Sequence, residues 1–128
     1  MQGTHVDVMK ELAQQFRPLL EESPDGVYLW LDESHKVCNE RLARMFGCTV
    51  EEWCATEPFL DNFVAEEDRQ VYSSNYHNCV AALAYPVTFR FRGRRKDGSS
   101  FAAETDMIPI SWQGHAVAYH FVRKITED

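Results

Sequence analysis

The sequence predicts an α+β domain, and three observations carry that expectation. Apolar residues recur at three-to-four-residue spacing up to about residue 83, the period falls to two from Val87 onward, and turn residues separate the alternating tracts. At 128 residues the chain makes one domain, long enough to bury roughly two-thirds of the surface its unfolded form exposes.

Val6, Met9, Leu12, Ala13 and Phe16 stripe one side of residues 5–16, which predicts an amphipathic helix. Pro18 ends that helix or opens a second short one. Residues 1–18 are therefore read as a separate helical unit, a lid or a dimerisation element, ahead of the main domain over 19–128. Ser23-Pro24-Asp25-Gly26 forms a turn, and Val27 to Leu31 has the length and residue types of a strand. Val27, Leu29 and Leu31 share one face, Tyr28 and Trp30 the other. Both faces are apolar, so both need cover, and the leading helix is the expected lid over Tyr28 and Trp30.

A short second strand falls near His35 to Cys38. Asn39 then caps a helix carrying Leu42, Met45 and Phe46, which Gly47 ends in the left-handed conformation. Thr49-Val-Glu-Glu52 is a capping box for the next helix. After a loop over 56–65, Glu66, Glu67 and Asp68 place negative charge at a helix start. That helix carries a stripe of Val71, Tyr72, Asn75, Tyr76, Cys79, Val80 and Leu83 and ends before Pro86.

Beyond it Val87, Phe89 and Phe91 alternate with Thr88, Arg90 and Arg92, which predicts a strand with one polar face. Asp97-Gly98 turns a hairpin. Phe101 to Ile110 returns, with Pro109 at its far end or at an edge position. A turn over Trp112 to His115 leads to a last strand, Ala116 to Arg123, with Val117, Tyr119 and Phe121 on one face.

Charge and motifs exclude several functions. The formal net charge of -7 repels nucleic acid and anionic membranes, so Arg92, Arg94, Arg95 and Lys96 read as a solvated hairpin tip. The four cysteines, at 38, 48, 54 and 79, include no C-x-x-C pair and read as reduced thiols. The longest apolar run, Val27 to Leu31, is far short of the ~20 residues of a membrane span, and reduced thiols with no secretory h-region ahead of them lead us to expect a cytoplasmic chain. No histidine pair has zinc-like spacing, and the catalytic motifs of hydrolases, zinc proteases and phosphate-binding loops are absent.

The order of elements and several strings resemble the PAS sensory domain family over about residues 19–127. Ser23 to Val27 is similar to the family's entry into its first strand, and Asp32 to the acidic residue closing it. Asn39 to Gly47 resembles its N-capped helix, and Val50 to Trp53 the short helix after it. Glu66-Glu67-Asp68-Arg69 resembles its P-x-D-R element with Glu66 in place of proline. Arg95 to Ser99 resembles its R-x-D-G-S hairpin, and Val122 to Glu127 its closing string. Two departures stand out: the segment from Asp32 to Asn39 is short, and Lys124 replaces the usual aspartate.

The resemblance implies a five-stranded antiparallel sheet with helices packed on one face, and a non-enzymatic sensory and protein-interaction module of a signalling or transcription-regulating protein. It also implies a dimerising N-terminal helix, for which Met9, Leu12, Phe16 and Trp30 are the expected contacts. The chain stops where the family continues into a signalling helix, so a longer receptor with an effector domain is expected. The cofactor stays unknown. Flavin photoadduct members carry a reactive cysteine in the helical segment, and Phe59 to Val64 has none. Haem-sensing members use a histidine on the long central helix, where His77 stands, but its spacing places it with Ser73 and Ser74 on a solvated side.

A small-molecule pocket is read from side chains that the alternation turns inward. These are Leu29 and Leu31; Leu42 and Phe46; Tyr72, Asn75 and Tyr76; and Phe89, Phe91, Phe101 and Tyr119. A packed core is the alternative reading of the same residues. His120, opposite Tyr119 and Phe121, is expected to face the N-terminal helix or a partner. The competing class is a small enzyme on a curved sheet that uses Asp106 or His120 as acid or base.

Overall fold

The computed structural model describes residues 5–81, 85–112 and 114–125. Helices α1 (His5–Gln15) and α2 (Arg17–Glu22) meet at Phe16, with Pro18 in the first turn of α2. Strands β1 (Gly26–Asp32) and β2 (His35–Cys38) follow. Helices α3 (Glu40–Met45), α4 (Val50–Ala55), α5 (Phe59–Phe63) and α6 (Arg69–Asn75) come next; α6 runs on into a π-helical turn, Tyr76–Ala81. Strands β3 (Val87–Arg94), β4 (Ser100–Trp112) and β5 (His115–Lys124) complete the chain. The five strands form one antiparallel sheet in the order β2-β1-β5-β4-β3.

Local chemistry explains most boundaries. The Asn39 side-chain oxygen accepts from the backbone N–H of Leu42 at 2.9 Å and of Val27 at 3.1 Å, while its amide donates to the Asp25 carbonyl at 3.1 Å. One side chain thus caps α3 and fastens it to the start of β1. Gly26 lets α3 approach: a Cβ there would lie 3.1 Å from the Leu42 Cα. Thr49 and Glu52 make the reciprocal capping box. Gly47, at φ 72°, turns the chain after α3.

The sheet has helices on both faces. Helices α3 to α6 cover one, where Tyr28, Phe46, Trp53, Phe63, Met107 and Val122 join a single core. On the other, Val8, Met9 and Leu12 of α1 pack against Val27, Leu29, Leu31, Val117 and Tyr119. The strand faces are grouped as the alternation predicts, but their covers are exchanged. α1 lies over Leu29 and Leu31, not over Tyr28 and Trp30. Period two says which residues share a face and nothing about which helix will cover it.

Other expectations also change. The segment 56–65 contains α5, whose two phenylalanines, four apart, are both buried. Glu66–Asp68 forms a 3-10 turn before α6, and Asp68 accepts a 2.7 Å bond from the Arg92 backbone N–H instead of capping the helix. Val71 is 47% exposed and leaves the expected stripe; the side chains of Cys79 and Val80, and all of Leu83, lie outside the described residues. The hairpin tip is anchored: Lys96 pairs with Glu52, its backbone N–H reaches the Phe46 carbonyl at 2.9 Å, and the Arg95 guanidinium stands 4.8 Å from the Phe101 ring. Pro109 pairs only with Ala118 of β5, past the last rung with β3 at Met107, where a missing N–H leaves no gap in a second ladder.

No helix among the described residues is long and apolar enough to cross a membrane.

Two outcomes test this packing. Asn39→Ala removes three buried or part-buried bonds, so a urea melt should show a loss of about 2–3 kcal/mol. Met9→Asp combined with Phe16→Asp should lower stability by more than about 3 kcal/mol in the same assay, because Met9 is buried on the sheet.

Candidate functional site

The sheet face under α5 and α6 is not fully filled. A cavity of about 300 Å³ opens there, walled by Tyr28 and Trp30 of β1, Phe59 and Leu60 of α5, Tyr72 and Ser73 of α6, and His120 of β5. Tyr76, His77 and Glu33 complete its rim. Pairing of β1 with β5 sets Tyr28 directly beside His120, and their rings stack 4.0 Å apart at 7°. Tyr72 lies parallel beyond them, 6.2 Å from the imidazole. The Tyr28 and Tyr72 hydroxyls hydrogen-bond to each other, and burial pushes both phenols above their ordinary range.

Burial also governs His120. The residue is 1% exposed, and desolvation drives its pKa down to about 3, with the Ala118 carbonyl opposing by its dipole. The imidazole is neutral, with one donor and one acceptor nitrogen. Among the described residues neither makes a hydrogen bond of ordinary geometry. Other buried polar atoms lack partners too, among them Trp53 Nε1, Thr105 Oγ1 and the Tyr119 hydroxyl. Of these groups only His120 lines the cavity. A neutral donor–acceptor pair at the floor of an aromatic cavity can bind an uncharged group that both gives and receives a hydrogen bond.

The structure gathers only part of the sequence-predicted pocket. Tyr72 and Tyr76 line the cavity. Leu42, Phe46, Phe91 and Phe101 belong to the packed core beside it, and Phe89 packs against that core. Leu29, Leu31 and Tyr119 lie on the opposite face beneath α1. Asn75 turns back on its own helix, donating to the Val71 carbonyl at 2.9 Å. Tyr28, Trp30, Phe59 and His120 were missed as walls. The legible signal was a histidine set between Ala118 and Val122 in an apolar alternation, which marks a buried position.

The expected dimer contacts also disperse. Met9 and Leu12 are buried within the chain, Phe16 sets its ring against Trp112 and Tyr119, and Trp30 faces the cavity on the other side of the sheet. His77 reaches only the cavity rim, where its exposed ring meets Tyr76, so it does not offer a haem a buried axial ligand. The acid–base candidates are separated as well. Asp106 lies on the face opposite His120, accepting from Arg123 at 2.9 Å and Thr88 at 2.6 Å, and Arg123 holds its carboxyl below the usual range.

Comparison with known proteins adds three findings. The family profile described as "PAS fold" matches residues 35–123. Among solved structures, the PAS domain of a protein from Colwellia psychrerythraea superposes with a TM-score of 0.71 at 18% identity, covering 91% of this chain and 99% of that one. A PAS domain from a two-component sensor histidine kinase gives 0.69 at 19% identity, with coverage of 91% and 99%. The PAS domain of a LuxR-family transcriptional regulator from Burkholderia thailandensis, solved with ethanol, gives 0.66 at 15% identity, covering 88% and 98%. No curated protein matches the sequence at a significant level.

The buried imidazole makes a pH prediction. The unfolded chain takes up the His120 proton below about pH 6.5, whereas the folded state does not until about 3, so stability falls as pH drops through that window. Between about pH 7 and pH 5 the wild type should lose about 2 kcal/mol more than His120→Gln, read from urea midpoints at each pH.

Proposed function

The chain belongs to the PAS fold family, and on that premise we propose that it is a sensory and protein-interaction module that takes a small uncharged ligand into the cavity over β1 and β5. The observation that carries this reading is His120, buried, neutral and without a hydrogen-bond partner among the described residues, beside open space. A ligand that pairs with the imidazole removes the cost of an unsatisfied polar group, so occupied and empty states differ in free energy. The strand that carries His120 is central in the sheet and runs out to the C-terminal end of the domain, which makes β5 the route from cavity to effector. Related structures fit a regulatory setting: one comes from a sensor kinase, another from a transcriptional regulator.

In this reading the module does no chemistry of its own. Among the described residues His120 has no hydrogen-bond partner to cycle its proton, and Asp106 is tied up across the sheet. The module acts as a homodimer joined to an effector domain in the cytoplasm, with Leu19, 50% exposed on α2, as the apolar surface open to a second copy.

Indole is a suitable probe, being a neutral N–H donor with a bicyclic ring smaller than the cavity. Titrated into the protein, it should shift the resonances of Tyr28, Tyr72 and His120, and His120→Phe should weaken its binding about tenfold. Equal affinity in both proteins, or no shift at saturating indole, would overturn the reading.

A further inference from the structure

We propose that the outer edge of β3, over residues 87–91, takes an extended segment of a partner protein as a sixth strand of the sheet, one that alternates apolar with polar residues and sets a carboxylate opposite Arg90. β3 closes one side of the sheet, and its register with β4 runs unbroken from Val87 opposite Met107 to Arg94 opposite Ser100. At Arg92 the backbone points away from β4: its carbonyl accepts from the Ala65 N–H at 2.8 Å, and its N–H donates to the Asp68 carboxylate at 2.7 Å. Ala102, opposite Arg92, likewise turns its carbonyl away from β3, to the Ile125 N–H at 3.0 Å. Strand backbone reverses direction at every residue, so Arg90 and Thr88 point outward with Arg92. The N–H and C=O of both meet no hydrogen-bond partner among the described residues; their bonds outside the ladder are made by side chains, to Glu104 and Asp106.

The chain itself pairs with the upper end of this edge. Val64 and Gly93 form an antiparallel bridge, Ala65 bonds to Arg92, and at Glu66 the segment leaves in a 3-10 turn. An incoming strand continues that line where Glu66 departs, antiparallel to β3, and exchanges both backbone bonds with Arg90 and both with Thr88.

Side chains beside the edge fix the chemistry of the partner. On the side of the helices Val87 and Phe89 are half-buried against the core, with Phe89 edge-on to Tyr72 at 5.2 Å, and they offer a ledge to apolar residues. On the other side the Arg90 side chain is 72% exposed. The carboxylate it reaches, Glu104 at 3.4 Å, is held more closely by Arg123, at 2.9 Å. A carboxylate on the added strand, directly across from Arg90, supplies a nearer counter-charge. A second copy of the chain placed edge to edge about Phe89 would set Thr88 across from Arg90 and bring the guanidinium no carboxylate, which is why a different protein is the expected occupant.

The test uses the blocked peptide Val-Glu-Val-Thr-Val, whose antiparallel register sets glutamate opposite Arg90 and threonine opposite Thr88. Titrated to about 2 mM into the labelled full chain, it should shift the Thr88 and Arg90 amides saturably and slow their exchange with solvent about tenfold. N-methylation of its glutamate and threonine removes the N–H groups aimed at the Arg90 and Thr88 carbonyls and should abolish binding. N-methylation of the central valine, whose N–H points away from β3, should leave the affinity within about threefold. Lysine in place of the glutamate should weaken binding about tenfold, and Arg90→Glu should reverse that preference. No saturable shift at these amides, binding that survives N-methylation of glutamate and threonine, or sedimentation showing a second copy on this edge would overturn the proposal. The peptide series on the wild type decides the matter even if Arg90→Glu fails to fold, and none of it depends on whether the cavity binds a ligand.

Discussion

From Val27 to Leu31 the first strand has no polar side chain to turn to water, and that constraint organises the rest of the molecule. Seated between β2 and β5, β1 must be covered on both faces. Val8, Met9 and Leu12 of α1 close one side over Val27 and Leu29, all five of them buried. Helices α3 to α6 close the other over Tyr28. The N-terminal helix is thus a layer of the domain and not an appendage, since without it the apolar face made by β1 and β5 would stand open. The second cover is less complete than the first, and the space left under it is the cavity.

What fills the floor of that cavity follows from register. Antiparallel pairing puts Tyr28 opposite His120 and Leu29 opposite Tyr119, so the two faces alternate in step across the two central strands. An imidazole on the cavity face is surrounded by rings: Tyr28 stacked at 4.0 Å, Tyr72 beyond. Among the described residues neither of its nitrogens makes a hydrogen bond of ordinary geometry, and burial keeps it neutral. The region around Lys36 shows the contrary solution to the same problem. There burial disfavours the cation, and nearby acids, the Glu33 carbonyl and a ring face oppose that cost.

Much of the fold was legible in the sequence because it is written in local chemistry. The Asn39 cap, the Thr49–Glu52 box, the Gly47 stop and the alternation through β3, β4 and β5 depend on neighbours a few residues apart, and all appear where expected. The short second strand, His35–Cys38, appears with its expected bounds. The site was legible only in part. Leu29, Leu31 and Tyr119 share a face, as the period shows, but a strand that is apolar on both sides does not say which face carries the cavity. Helix α5 escaped notice because five residues after a proline give one helical turn, too short for a period to register. His120 was assigned to the wrong side for the same reason as Tyr119, through the exchanged covers.

The neutrality of His120 is the claim on which the cavity's chemistry depends, and ring-nitrogen NMR tests it most directly. In a histidine-labelled sample taken from about pH 7.5 to about pH 4.5, the account predicts that the His120 ring keeps the nitrogen shifts of a neutral tautomer throughout. Titration of His120 near its ordinary value, with both nitrogens becoming protonated in the folded state, would contradict it.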